Sequence, residues 1–267
     1  MSRRGQGRCA LAVMALGISI AACLLNAATN SPPFQPKLPD DLLWPQGRYV
    51  YQRNCLVSHG AYGDGRGEMG RELKPPPRHF GRGLFKYRST PAGALPTDED
   101  LERTIRGGLA GTAMPIFSNL SDRELKSVIE YVKSFSPRWR NPTNYAPTLV
   151  LPPLPLWFEN TALVASRAEK GRAVFGSACA ACHGADGSGR GATAANLEDA
   201  WGQPATPTDL RQQTLRSGRS LEAIYRVLLT GIEGTPMPSF AEAMTEEQRW
   251  ELVAFIAQLR RDHTAGK

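Results

Sequence analysis

Shifted by 124 residues, the second half of this chain falls onto the first. Gly47, Tyr51, Cys55, His59 and Gly60 meet Gly171, Phe175, Cys179, His183 and Gly184, and Gly63, Gly65 and Gly67 meet Gly187, Gly189 and Gly191. The offset becomes 123 where "GLAGTAMP" (Gly108 to Pro115) meets "GIEGTPMP" (Gly231 to Pro238). It returns to 124 where Ser121 meets Thr245 and Tyr131 meets Phe255. Matches in one order along the chain mean two copies of one unit, and 267 residues suffice for two modest domains.

Each copy carries the same coarse plan. A first helix begins near Gln46 in copy one and near Ser166 in copy two, where Ser166-x-x-Glu169 reads as a capping box. A cysteine motif, a glycine-rich loop and a helix opened by Thr97 or Ser220 follow. After the G-x-x-G-T-x-M-P loop comes a closing helix opened by Ser121-x-x-Glu124 or Thr245-x-x-Gln248. Leu125, Val128, Ile129 and Val132 recur there at helical spacing, as do Leu252, Val253, Ile256 and Leu259. No segment alternates as a strand does, so the expected class is all-α, two tandem helical domains with long Gly/Pro-rich loops. The domains span 44–136 and 162–262, joined by a Pro-rich connector over 137–161.

Residues 1–28 pair an acid-free basic start (Arg3, Arg4, Arg8) with an apolar run. They read as a signal peptide, a lipoprotein signal or an N-terminal anchor, and residues 29–43 as a Pro-rich linker. Ile20-Ala21-Ala22-Cys23 resembles a bacterial lipobox, so membrane attachment runs through Cys23 lipidation or the N-terminal segment, with cleavage near Ala27 as the alternative. Each route places the folded part in the periplasm. The net charge of +7 is concentrated in residues 29–143, with 17 basic and 12 acidic side chains. Arg66, Arg71, Lys74, Arg78, Arg82, Lys86 and Arg88 crowd together there, either as a solvated face with one or two arginines for internal carboxylates, or as a docking surface for an acidic redox partner. No nucleic-acid partner is expected, since no binding module accompanies the charge.

Cys179-Ala-Ala-Cys182-His183 sets two thiols and an imidazole on one helical turn. That is the spacing a porphyrin needs for its two vinyl groups and its iron. Met237, between Pro236 and Pro238, supplies a soft second axial ligand. A disulfide, a redox dithiol or half of a zinc site are the alternatives, and copy two offers a zinc ion only His263 beyond the motif. Copy one has His59 and Met114 in place, but Ser58 stands where the second thiol belongs. Three outcomes are open there: haem held through Cys55 alone with His59 and Met114 as axial ligands, haem held without a covalent bond, or an empty site. An empty site leaves a small apolar core unfilled.

With these motifs in hand, both halves resemble class I c-type cytochrome domains. The resemblance rests on C-x-x-C-H near the first helix, the downstream M-P loop, and Gly171, Phe175 and Phe255 (Gly47, Tyr51 and Tyr131 in copy one) where first and last helices meet. It implies haem c in domain 2, haem attached through a single thioether in domain 1, and a hydrogen bond from each proximal histidine to an unidentified backbone carbonyl. The implied function is a periplasmic or membrane-tethered dihaem cytochrome c relaying single electrons between a donor and an acceptor protein in a respiratory or dehydrogenase chain, an electron carrier rather than an enzyme. The competing readings are a haem enzyme reducing peroxide or a small oxyanion, with His79 as its candidate acid–base group, and a monohaem cytochrome whose first domain is a docking module.

Overall fold

Side-chain acceptors at helix starts organise the local structure. The computed structural model describes residues 43–266; the leader, Cys23 and most of the first linker lie outside them. Helix α1 spans Leu43–Asn54 and carries Pro45 in its first turn, where a missing N–H costs nothing. Cys55 separates it from the short α2, Leu56–His59. Thr97 caps α3 (Asp98–Gly107) and Ser121 caps α4 (Asp122–Ser134), each through a complete capping box. The second copy repeats the order with α5 (Thr161–Ala178), α6 (Ala180–His183), α7 (Leu221–Thr230) and α8 (Glu246–Ala265). Ser220 caps α7, and Thr245 with Gln248 forms the box that opens α8.

Helix α5 corrects one expectation. It starts five residues before Ser166, because the Asn160 side chain accepts from the backbone N–H groups of Ala162 and Leu163. Ser166 therefore sits inside the helix and caps nothing. No strand forms among the described residues, which hold only two isolated bridges. No described helix is long and apolar enough to cross a membrane.

In each copy the first and last helices cross at a glycine. A Cβ on Gly47 would lie 2.0 Å from the Ser127 carbonyl oxygen, and one on Gly171 would lie 2.0 Å from that of Glu251. Neither position has room for a methyl group, so α1 packs backbone-close on α4, and α5 on α8. Aromatic rings fill the crossing from the other side: Tyr51 on Tyr131 at 5.1 Å, and Phe175 on Phe255 at 5.1 Å. Two apolar cores result. One gathers Val50, Leu101, Leu125, Val128 and Ile129, the other Ala168, Ile224, Leu228, Leu252 and Val253.

The connector is not free chain. Its 3-10 turns bury Trp139, the Leu149 N–H donates to the Ser89 carbonyl, and Leu149, Leu151 and Trp157 pack on the second core. The two copies also meet directly through the basic half. Buried Arg88 donates to the Thr230 carbonyl (3.1 Å) and pairs with Glu233 at 2.8 Å. Arg82 donates to the Ala200 carbonyl, the Arg78 guanidinium lies 4.0 Å over the Trp201 ring, and Lys86 faces Asp199 at 3.8 Å. Four of the seven crowded cations thus build the contact between copies. Arg66, Arg71 and Lys74 remain exposed.

Candidate functional site

Two successive turns place the cysteine motif. Cys55 ends α1, its N–H still bonded to the Tyr51 carbonyl, and the chain re-enters helix for one turn that finishes at His59. Gly60 follows at φ 78°, a left-handed conformation that ends the turn without strain. The second copy is built alike: Cys179 N–H to Phe175, His183 ending α6, Gly184 at φ 76°. The three described cysteines are thiols, without a Cys179–Cys182 disulfide. No three His, Cys, Asp or Glu side chains converge into a metal-binding group among the described residues.

The histidine acceptors, which spacing did not reveal, are Arg78 and Thr208. His59 Nδ1 lies 3.3 Å from the Arg78 carbonyl oxygen, and His183 Nδ1 lies 3.4 Å from that of Thr208. A carbonyl only accepts, so the proton sits on Nδ1 and the Nε2 lone pair is left for a metal. Burial holds the His59 pKa down at about 4 and lowers that of His183, so both rings are neutral near pH 7. A sequence signal did exist. Each acceptor follows a proline, Pro77 or Pro207, whose carbonyl abuts the glycine at 65 or 189. Those prolines are 130 residues apart, off the repeat's offset, because the intervening loops differ in length.

The methionine loops are superimposable in their bonding. Leu109 N–H donates to the Met114 carbonyl, and Ile232 N–H to that of Met237. The Thr112 hydroxyl accepts from Met114 N–H and the Thr235 hydroxyl from Met237 N–H. Gly108 and Gly231 stand at φ 61° and 68°, and a Cβ on either would come within 2.9 Å of the methionine carbonyl oxygen. The shared G-x-x-G-T-x-M-P string is thus a backbone requirement for presenting a methionine.

In the first copy these parts face one cavity of about 180 Å³. Cys55, Ser58 and His59 line it together with Met114, Phe80, Phe85, Leu101, Ile105 and Val128. The Cys55 thiol is pushed up to about 12 by burial, so it is neutral. His59 stacks on Phe80 at 4.4 Å. In the second copy Cys179 belongs to the core, Met237 packs against that same core, and His183 approaches Phe175 at 6.4 Å. There the buried Cys179 thiol is raised to about 11, and Cys182 Sγ lies 3.3 Å from the Thr193 hydroxyl. A neutral imidazole with Nε2 free, a thioether, a thiol and apolar walls are the donor set and environment that fit a haem. His79 does not line the cavity, and its buried Nδ1 has no hydrogen-bond partner among the described residues.

Comparison with known proteins bears on the family and the fold. The family described as cytochrome c oxidase, cbb3-type, subunit III matches the chain twice, over residues 42–132 and 166–256. A chain of the Kuenenia stuttgartiensis reducing HAO-like protein complex is similar at 34% identity and a TM-score of 0.72, over 80% of this chain and 95% of that one. No curated protein matches.

Proposed function

The chain belongs to the cytochrome c family described by cbb3-type oxidase subunit III, and from that premise we propose that it is a dihaem electron relay serving a larger oxidoreductase. The observation that carries this reading is the duplication of a complete presenting apparatus: histidine on a carbonyl, methionine on a threonine-braced loop, in both copies. Similarity to a chain of a reducing HAO-like complex supports a role as a subunit rather than a free shuttle.

A bound haem supplies a one-electron Fe(III)/Fe(II) couple. The residues set its terms. His59 and His183 present Nε2 while Nδ1–H stays on a carbonyl, which fixes ring orientation and strengthens the donor. Met114 and Met237 offer thioethers, which favour the ferrous state and raise the potential. The apolar walls would keep water from a bound haem. In the second copy Cys179 and Cys182 would hold the haem through two thioethers; in the first, Cys55 would hold it through one. Such an attachment would add a thiol S–H across a vinyl C=C and need no oxidant. Serine at 58 could add no such bond, so retention there would rest on Cys55 together with His59 and Met114.

The basic, then apolar, N-terminal stretch supports export to the periplasm with a membrane tether through Cys23 or the segment itself. Donor and acceptor are redox proteins. The deciding measurement is a pyridine haemochrome assay on quantified, exported protein: two haems per chain are expected, and one haem would leave only the second copy active. Reduced holoprotein should bind carbon monoxide slowly, because Met114 and Met237 would hold the irons; rapid carbonyl formation would count against that assignment.

A further inference from the structure

The first-copy cavity has a cationic rim. Arg78 and Lys86 line it from the first copy, and Arg216 lines it from the second, in the loop that leads into α7. No lining residue is an aspartate or glutamate. Among the described residues Asp199 is the one carboxylate paired with any of the three cations, facing Lys86 at 3.8 Å. Arg78 lies over the Trp201 ring, and Arg216 makes no hydrogen bond or ion pair among the described residues. Three cations against one acid leave two positive charges at the edge of a largely apolar cavity. An apolar ligand bearing two carboxylates balances that charge, and haem is such a ligand.

Lone cations at a half-buried rim are costly unless they meet an anion. The crowding already shows: burial, then the Arg78 charge, with Asp199 opposing and Arg216 adding, lowers Lys86 to about 8. Arg216 adjoins Leu215, which is buried in the second core. Consecutive residues of one loop therefore serve the two sites.

We propose that Arg216 of the second copy joins Arg78 and Lys86 in binding the carboxylates of the first-copy haem, so that this site is completed only across the contact between copies. The proposal rests on the reading that the first copy holds haem. It gives that haem a second means of retention where Ser58 removes a thioether.

The test uses full-length holoprotein with Arg216→Gln and Arg216→Lys. Each haem is identified by its reduced spectrum, because a haem with one thioether keeps one vinyl group conjugated to the ring and absorbs at longer wavelength. Potentiometric titration of Arg216→Gln should lower the reduced-to-oxidised ratio of that haem at fixed ambient potential on the order of tenfold, the scale of one partly buried charge. The second haem should shift less, and Arg216→Lys should behave like the parent. Loss of the first haem alone from Arg216→Gln, with retention in Arg216→Lys, equally supports the clamp. Two bound haems with unchanged or equally shifted potentials in Arg216→Gln would overturn it, as would first-haem loss from both variants. Parent protein with a single haem would instead overturn the reading beneath it.

Discussion

Ser58 and the two histidine acceptors show how much rests on single atoms. Ser58 lines the same cavity as Cys55 and His59, so a thiol placed there faces the same space as the existing one. Ser58→Cys should therefore gain a second thioether and move the alkaline pyridine spectrum of the first-copy haem to shorter wavelength; an unchanged spectrum would refute that. Met237→Ala should lower the second-copy potential and open its iron to carbon monoxide, and an unaltered potential and visible spectrum would remove Met237 from the ligand set. Cys55, His59, Met114, Cys179, Cys182, His183 and Met237 were legible as candidates because the chemistry needs those side chains. Arg78 and Thr208 were not, because each contributes a backbone carbonyl that every residue owns.

Among elements, the helix crossings decide the architecture. Gly171→Ala would set a methyl group 2.0 Å from the Glu251 carbonyl oxygen and force α5 off α8. It should destabilise the protein by about 2–3 kcal/mol, the scale of an overpacked core, read as a lower denaturant midpoint. Removing the α5 cap with Asn160→Ala should cost about 1 kcal/mol, whereas Ser166→Ala should be near neutral, which thermal unfolding of the pair would distinguish. The closing helices were readable from their capping boxes and apolar spacing. The start of α5 was not, because Ser166-x-x-Glu169 and Asn160 are both good caps in sequence. Pairing with α8 favours the longer helix, since residues before Ser166 bury Val164 in the second core.

Across the whole molecule, four cations of the basic cluster turn toward the second copy while Arg66, Arg71 and Lys74 stay exposed. Arg88 is buried and its carboxylate partner, Glu233, belongs to the other copy. Glu233→Gln should leave that cation without its ion-pair partner and cost on the order of 3 kcal/mol, seen as unfolding that separates into two transitions where the parent shows one. The amino-acid sequence by itself determined the duplication, the all-helical class and the side chains that meet a haem, because repeats, caps and ligand chemistry are local patterns. Only the tertiary structure decided where the cations go. Arg78, Arg82, Lys86 and Arg88 look like any solvated cluster until the second copy brings Trp201, Ala200, Asp199 and Glu233 against them, since charge pairing depends on distance in space and not along the chain.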